Sequence, residues 1–390
     1  MAENNVIPNP DSLVPAPSHF PGRVAVQQRV LPRYRVGFFD ALSEACAGGL
    51  SVFAGQPGSG EGIETAERLS NADFRQTNNL HIGKVGSSRY LCWQPGLVKW
   101  LESWQPDVLI VEANPRYLST PRATRWMHRR QRPVIGWGLG VPPAETAMGG
   151  VWGRLRITRR EAFYRQFDGV IAYSQKGANE YIKAGFEPKR VFIAPNAVAF
   201  RPTTTPPSRP VKASGRLSVL FVGRLQARKR IDNLFIACRN LPENIQPDVV
   251  VVGDGPVKAS LEKLAASVYP RAKFLGALHG EELDPVFANA DLFVLPGTGG
   301  LAVQQAMAHA LPVIVAEGDG TQDDLVRTES GWQVPPDDLS ALTSAMTEAL
   351  SSAPRLRQMG QAAYRIVADE VNVERMVEVF ITAITSVRAR

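Results

Sequence analysis

The chain has 390 residues, of which 44% are hydrophobic and 21% charged, and it carries a formal net charge of +7. This length suits two domains better than a single hydrophobic core. No run of about 18 apolar residues occurs, so we expect no membrane-spanning helix. The N-terminal stretch lacks the basic and apolar segments of a secretory signal, and we expect residues 1–22 to be a flexible segment.

The first half of the chain alternates short β-branched runs with amphipathic segments, which is typical of parallel α/β layers. The predicted strands are residues 23–26, 50–54, 107–113, 133–137, 169–174 and 190–195. Because these runs are almost continuously apolar, we expect a sheet covered by helices on both faces. They define a first domain over residues 23–199, and the proline-rich stretch 200–214 predicts a linker.

A strongly basic segment lies within this first domain. Between Arg116 and Arg165 there are eleven arginines and two acidic residues. The segment is either a solvated helix face or a surface for anionic lipid or a phosphate-bearing ligand. Its aromatic residues would suit an interfacial helix: Trp126, Trp152, Phe163 and Tyr164. Nothing in it matches a base-reading module, so we do not expect a nucleic acid partner.

The alternation restarts after the linker. The predicted strands are residues 217–223, 247–253, 273–276, 291–296, 312–316 and 331–334. They predict a second doubly wound domain over residues 215–370, and ligands of such folds bind beyond the carboxyl ends of the strands. The chain closes with an amphipathic segment, residues 371–390, which predicts a helix packed either on the second domain or back on the first.

Cysteine usage indicates a reducing compartment. The three cysteines, Cys46, Cys92 and Cys238, are widely spaced and each has apolar neighbours. We therefore expect buried thiols, without a disulfide framework or a metal site, in a cytoplasmic protein.

Three strand ends of the second domain carry residues suited to an anion. The first, VGRLQARK (222–229), places Arg224 and Lys229 after a strand, and the second is the turn GDGP (253–256). The third, PGTGGLAVQQAMAHALPV (296–313), joins a strand to a helix through a glycine-rich turn. Glycines let the backbone approach a ligand, and helix-start N–H groups attract phosphate. Each feature alone is equally well explained as an exposed basic loop or a tight connection.

Together, in order and spacing, these blocks resemble the second domain of retaining GT-B glycosyltransferases of the family-four (glycosyl transferases group 1) type. The resemblance covers residues 217–350 and includes FLG (274–276), ADLFVLP (290–296) and QAMAHALPV (305–313); residues 173–198 match more loosely. It implies an α/β GT-B fold, with two Rossmann-like doubly wound domains facing across a cleft. It also implies sugar transfer from a nucleotide-sugar donor with retention of configuration.

The resemblance assigns the donor's diphosphate to Arg224 and Lys229, which would act catalytically by stabilising charge on the leaving phosphate. It assigns the distal phosphate to backbone amides of the glycine-rich turn, and the base to the segment after FLG. The donor-binding residues expected on this basis are Gly223, Gly253, Gly255, Ala277, Leu278, Gly297, Thr298, Gly299, Gly300, Leu301 and Gln305. No Asp-x-Asp pair occurs and the histidines are scattered, so we expect neither a metal nor another cofactor.

Two positions depart from the family pattern. The family usually has two glutamates eight positions apart, which align here to Gly297 and Gln305. Glutamine can still bond a ribose hydroxyl, whereas glycine has no side chain to contact a sugar. Asp323 and Asp324 are candidates either to compensate or to cap the following helix. A non-catalytic relative that binds nucleotide or a partner therefore remains an alternative. A sugar-nucleotide epimerase of similar shape is another, although we find no acid–base set for it.

We expect the first domain to bind the acceptor. The candidate residues at its predicted strand ends and in the early basic segment are Arg33, Tyr34, Asn114, Arg116 and Gly138. Arg29 and Arg35 are further candidates for an acceptor phosphate, against the alternative of an exposed helix start. The expected acceptor is a saccharide, free or linked to polyprenyl diphosphate, in cell-surface polysaccharide or lipopolysaccharide synthesis. Such an acceptor would place the protein peripherally on the inner face of the plasma membrane.

Overall fold

The computed structural model describes residues 19–58, 61–85, 87, 89–141, 151–203, 205–207, 209, 215–318 and 320–388, of which 151–157 are described for backbone alone. The chain divides into two compact units. The first comprises Met1–Pro195 with Val373–Arg390, and the second is Asn196–Asn372. The divisions therefore fall a few residues from the expected ends of the domains at 199 and 370.

The first unit is built on a seven-stranded sheet in the order β3-β2-β1-β6-β7-β8-β9, in which every pair is parallel. Its strands are β1 (Val24–Val30), β2 (Leu50–Gly55), β3 (Asp73–Gln76), β6 (Val108–Glu112), β7 (Val134–Gly138), β8 (Gly169–Ala172) and β9 (Val191–Ile193). A separate antiparallel pair consists of β4 (Leu80–Ile82) and β5 (Leu91–Trp93). All six strands predicted for this half are present, whereas β3 to β5 were not predicted.

Helices pack against this sheet from both ends of the sequence. They are α1 (Val36–Glu44), α2 (Leu97–Trp104), α3 (Thr120–His128), α4 (Val151–Arg165), α5 (Gln175–Lys183) and α13 (Val373–Arg388). The last of them, α13, buries Phe380 against Phe38 and Trp137, with ring centroids 4.9 Å apart in each pair. Of the two packings considered for the final helix, the structure has the one on the first unit.

The second unit has a six-stranded sheet in the order β12-β11-β10-β13-β14-β15, also parallel throughout. Its strands are β10 (Ser218–Val222), β11 (Asp248–Val252), β12 (Ala272–Gly276), β13 (Leu292–Leu295), β14 (Val313–Ala316) and β15 (Gly331–Val334). Its helices are α6 (Ile231–Asn240), α7 (Lys258–Val268), α8 (Asp284–Asn289), α9 (Ala302–Ala308), α10 (Thr321–Leu325), α11 (Leu339–Leu350) and α12 (Ala353–Asp369). The strand order reverses between β10 and β13, and doubly wound sheets bind ligands outside the carboxyl ends of the strands at such a switch point.

The N-terminal segment and the linker differ in part from the sequence-based expectations. Residues 1–18 lie outside the described part, but residues 19–22 are not flexible as expected: Phe20 is buried and its N–H donates to the Ala45 carbonyl at 2.8 Å. The apolar ring explains the difference, because burial of a phenylalanine side chain favours an ordered backbone. Of the described linker residues, Arg209 donates to the carbonyl of Ala288 at 2.9 Å.

The expectation of three buried thiols is confirmed for Cys46, Cys92 and Cys238. Across the described residues, no helix combines the length and the apolar character needed to cross a membrane.

Candidate functional site

The loops that follow β10 and β11 lie in direct contact. The Gly223 N–H donates to the Val252 carbonyl at 3.0 Å, and the Leu225 N–H donates to the Asp254 carbonyl at 2.8 Å. Gly253 has φ +141°, and a Cβ there would lie 2.9 Å from the carbonyl carbon of Gly223. Only glycine fits this approach. Gly255 is required for the same steric reason, because a Cβ there would lie 2.8 Å from the Leu225 carbonyl carbon.

The glycine-rich loop after β13 is attached to a 3₁₀ turn, Ala227–Lys229, that follows β10. The Thr298 N–H donates to the Arg228 carbonyl at 3.1 Å, and the Arg228 guanidinium donates back to the Thr298 carbonyl at 2.9 Å. Lys229 is 5% exposed and its Nζ donates to the carbonyls of Thr298, at 3.0 Å, and Gly299. These bonds hold the ammonium against the backbone of the glycine-rich loop.

The glycines of this loop keep the backbone close to those two cations. A Cβ at Gly300 would lie 3.4 Å from Lys229 Nζ, and one at Gly299, where φ is +65°, would lie 3.2 Å from Arg228 Nη1. Helix α9 begins directly afterwards, and its N-cap residue, Leu301, makes no side-chain capping bond. The loop therefore combines a buried ammonium, uncapped helix-start amides and little steric cover, which suits a phosphate.

Gly297 has no space for any side chain. A Cβ built there would lie 2.5 Å from the carbonyl carbon of Lys229 and 2.7 Å from its Cα, and would also meet the Arg228 carbonyl oxygen. These are backbone atoms, which cannot rotate away. In this structure the position aligned with the family's first glutamate is occupied by the neighbouring turn.

Two adjacent glutamines of α9 have different surroundings. Gln305 is half-buried. Gln304 is buried, and its amide donates to the Asn196 carbonyl at 2.7 Å and accepts from the Val198 N–H at 2.9 Å. Gln304 thus fixes the segment that enters the second unit to the helix of the phosphate loop. Sequence reasoning missed it, although a second glutamine in an otherwise apolar helix was a possible signal.

The remaining donor-side candidates lie at strand ends of the same unit. Arg224 follows Gly223 and is half-buried, Ala277 is exposed, and Leu278 packs partly on the core. Neither Asp323 nor Asp324 caps α10: its N-cap is Gly320, and both aspartates lie inside the helix. The expected capping role is therefore wrong for that helix, because Gly320, with φ +94°, occupies the N-cap position three residues before Asp323.

The acceptor-side candidates of the first unit each have different neighbours. Arg33 is exposed and forms an ion pair with Glu64 at 2.6 Å, Tyr34 is exposed, and the Asn114 side chain accepts from the Arg116 N–H at 3.1 Å. At the end of β7, a Cβ on Gly138 would lie 3.0 Å from the Tyr181 hydroxyl.

Arg29, a further candidate for an acceptor phosphate, forms an ion pair with Glu61. It lies inside β1, which is longer than predicted, and donates to both carboxylate oxygens of Glu61 at 2.7 and 2.8 Å. Burial raises the pKa of Glu61, but the hydrogen bonds from Arg29 and the Gly58 N–H, together with the nearby charges of Arg29 and His81, outweigh it and the pKa is lowered overall. Nearby, Glu112 accepts from the Arg29 N–H at 2.9 Å, and burial raises its pKa.

The basic segment exposes arginines but not aromatic rings. Arg122 stacks on Trp93 at 4.4 Å and Arg130 stacks on Trp126 at 3.9 Å, while Arg125 and Arg129 are exposed. A shallow cavity of about 490 Å³ lies on this face, lined by Pro121, Thr124, Arg125, His128, Arg129 and Gln166.

The expectation of interfacial aromatic residues in that segment is wrong for three of the four. Trp126, Phe163 and Tyr164 are buried in the core of the first unit, because the apolar side of each helix faces the sheet. The side chain of Trp152 lies outside the described residues.

Comparisons with known sequences find similar proteins for the part of the chain that forms the second unit. The sequence model for glycosyl transferases group 1 matches residues 206–366. The sulfoquinovosyl transferase SQD2 of Arabidopsis thaliana is 37% identical over 116 residues, which are 29% of this chain and 22% of that protein. A GDP-mannose-dependent alpha-mannosyltransferase of Mycolicibacterium smegmatis is 33% identical over 171 residues, 43% of this chain and 41% of that protein. These matches span less than half the length of either relative.

Solved structures match over nearly the whole chain. The Anabaena protein Alr3699/HepE in complex with UDP has a TM-score of 0.69 at 16% identity, covering 93% of this chain and 99% of that one. The lipopolysaccharide outer core galactosyltransferase WaaB has a TM-score of 0.65 at 14% identity, with the same coverage. At such identities the likeness establishes the fold, which is GT-B, with two Rossmann-like units in one chain. Residues 206–366, less than half of the chain, thus match the model for glycosyl transferases group 1, and the chain as a whole is similar in fold to the GT-B structures.

Proposed function

We propose that the protein is a retaining glycosyltransferase that moves a sugar from a nucleotide-sugar donor to a saccharide or lipid-linked saccharide acceptor in cell-surface polysaccharide or lipopolysaccharide synthesis. The observation that carries the proposal is the ammonium of Lys229, held in the glycine-rich loop at the switch point of the second sheet. The names of the relatives support a hexosyl or related donor, and the HepE structure contains UDP.

In the proposed reaction the bond between the anomeric carbon and the donor diphosphate breaks, while the acceptor oxygen bonds to that carbon. The acceptor proton passes to an oxygen of the leaving phosphate. Negative charge grows on the diphosphate, and preorganised cations and N–H groups stabilise it most where water is excluded. Arg224, Lys229 and the amides of residues 299–301 would supply this charge stabilisation. Proton NMR of the product's anomeric centre tests retention.

Because these side chains would supply the positive charge that Mg²⁺ supplies in other transferases, we propose that no metal is required. Transfer is expected to proceed at an unchanged rate after dialysis against excess EDTA, with no increase on adding Mg²⁺ or Mn²⁺. The measurement is nucleoside diphosphate release. A rate that collapses with EDTA and returns with one of these ions would refute metal independence.

The donor is identified by the same release assay over a panel of UDP-, GDP- and ADP-sugars, with and without a polyprenyl-diphosphate-linked saccharide. Release from one donor, increased by the acceptor, is the expected result. The lack of space at Gly297 favours a second candidate, a relative that binds nucleotide without transferring sugar. Tight nucleoside diphosphate binding, with no release from any donor under any acceptor condition, would support that candidate instead.

We further propose that the protein is cytoplasmic and binds the inner face of the plasma membrane through α3. Arg125 of α3 and Arg129, the C-cap residue of that helix, are exposed, and each basic residue near an anionic surface contributes about 1 kcal/mol. The double substitution Arg125→Glu/Arg129→Glu is expected to lower flotation with phosphatidylserine-containing vesicles by at least about 10-fold in apparent affinity. The control is Arg68→Glu/Arg75→Glu, which changes the same charge at exposed positions elsewhere in the unit. Equal flotation with anionic and neutral vesicles would contradict the proposal.

A further inference from the structure

Arg35 is a buried arginine in the first unit, next to the start of α1. The residue is only 3% exposed, and its guanidinium is surrounded by rings: its Cζ lies 4.4 Å from the ring centroid of Trp137 and 5.6 Å from those of Tyr34 and Tyr173. One nitrogen, Nη2, donates to the Tyr173 hydroxyl at 3.1 Å. The other, Nη1, is buried and has no hydrogen-bond partner among the described residues.

A second unsatisfied donor belongs to the same cluster. The indole Nε1 of Trp137, whose ring stacks on the Arg35 guanidinium, is also buried and makes no hydrogen bond within the described part of the chain. Buried donors are nearly always satisfied, and leaving one unmade costs about 1–3 kcal/mol or more when it is charged. Each orphaned group is a donor and therefore requires an acceptor, and the positive charge of the arginine favours an anion.

The neighbouring carboxylates are engaged elsewhere. Arg29 is paired with Glu61, and Arg33 with Glu64, whereas Arg35 has no ion pair among the described residues. Glu112 is within electrostatic range of Arg35, but its carboxylate accepts the Arg29 N–H. Arg35 therefore differs from Arg29 and Arg33, because its guanidinium contacts aromatic rings and theirs form ion pairs with acids.

The cluster lies where a doubly wound unit binds ligands. Arg35 follows β1, Trp137 is near the end of β7, and Tyr173 directly follows β8. The strand order of the first sheet reverses between β1 and β6, and ligands of such sheets bind outside the carboxyl ends at that reversal. Phe380 of α13 packs behind both Trp137 and Phe38, which holds the rings in place.

We propose that Arg35 and Trp137 form a phosphate-binding subsite of the first unit. A planar guanidinium held by stacked rings presents its donors to a phosphate at little entropic cost. Tyr34, which is 47% exposed, is the most accessible of the rings around it, so we place the entrance to the subsite beside that side chain. Phosphate binding by this subsite does not depend on the proposed transfer function. Only the identity of the molecule that carries the phosphate rests on that function: it is either the donor, through its diphosphate, or a phosphate-linked acceptor.

The test uses the full chain and inorganic phosphate as the probe, measured by isothermal titration calorimetry. The background variant Lys229→Met disables the cradle of the second unit, so the remaining binding reports on the first. In this background Arg35→Met is expected to weaken phosphate binding at least about 10-fold, as befits the loss of a charged hydrogen bond, and Arg35→Lys to weaken it less. Arg75→Met, at an exposed position on β3, is the matched control and leaves the affinity unchanged.

Thermal melts distinguish a lost site from a lost fold, and Arg35→Lys preserves the test if Arg35→Met does not fold. Phosphate affinity that is equal with and without Arg35, in folded protein, would overturn the proposal and leave an ordered water as the partner. Binding of phosphate needs no turnover, so this result is independent of whether sugar transfer is found.

Two further titrations, in a wild-type background, identify the source of the phosphate. If Arg35→Met also weakens UDP or GDP binding about 10-fold, the donor's diphosphate is the ligand. If nucleotide affinity is unchanged but phosphate no longer binds to nucleotide-saturated protein, the phosphate belongs to the acceptor. Both results support the subsite, and no change in either titration contradicts it.

Discussion

Lys229→Met is expected to lower the rate of sugar transfer by roughly 10²–10³-fold, the loss that follows removal of one preorganised donor from a site of developing charge. The ammonium is buried and lies on the carbonyls of Thr298 and Gly299, at the loop where the leaving diphosphate is proposed to bind. Methionine keeps the length of the apolar stem but removes the charge. The measurements are the kcat/KM of nucleoside diphosphate release and the Kd of the nucleoside diphosphate.

A matched substitution separates charge from loop positioning. Arg228 donates to the same Thr298 carbonyl, at 2.9 Å, but its side chain is exposed. If Lys229 acts through its charge, Arg228→Met should cost much less than Lys229→Met, because an exposed charge is screened by water. Equal losses of kcat/KM in the two variants would show that Lys229 acts by positioning the loop and not by its charge. A Lys229→Met enzyme within a factor of three of wild type would exclude Lys229 from catalysis.

All strands of the two parallel sheets except β3 were predictable, because each contains a short apolar run of the kind that forms a strand covered on both faces. The edge strand β3 was not, since its sequence, DFRQ, has no such run and becomes a strand only by pairing with β2. The packing of α13 was open for a similar reason. Its apolar face is evident from the sequence, but the rings that receive Phe380 come from α1 and β7, more than two hundred residues earlier in the chain.

The phosphate loop was predictable as a set of motifs, but not as a set of contacts. The bonds from Lys229 to Thr298 and Gly299 join residues about seventy positions apart, and no local pattern encodes that distance. The same holds for Arg29: the sequence indicates a cation available for a ligand, whereas the structure pairs it with Glu61. It also holds for Gly297, where the sequence shows a missing carboxylate and only the structure shows the backbone that takes its place.

Gly297→Ala is expected to destabilise the second unit by about 1–3 kcal/mol, the usual cost of overpacking. Its Cβ would lie 2.5 Å from the Lys229 carbonyl carbon, so the turn that carries Lys229 must move. For a domain of this size each kcal/mol lowers Tm by about 2–4 °C. Gly318→Ala is the control, because a Cβ there would meet only the Gln322 side chain at an ordinary 3.5 Å. Equal melting temperatures for the two variants would contradict the steric argument.

Gly297→Glu extends the same argument to function. It introduces the carboxylate that the family resemblance implies at this position, so a site that had merely lost its sugar contact would gain activity. Because the glutamate begins with the same Cβ against the same backbone, we expect instead that it displaces Lys229 and weakens nucleoside diphosphate binding at least about 10-fold. Calorimetric titration of the nucleotide and the release assay measure both quantities. Increased transfer by Gly297→Glu would show that the turn adapts, and that glycine at 297 limits catalysis without being required by the fold.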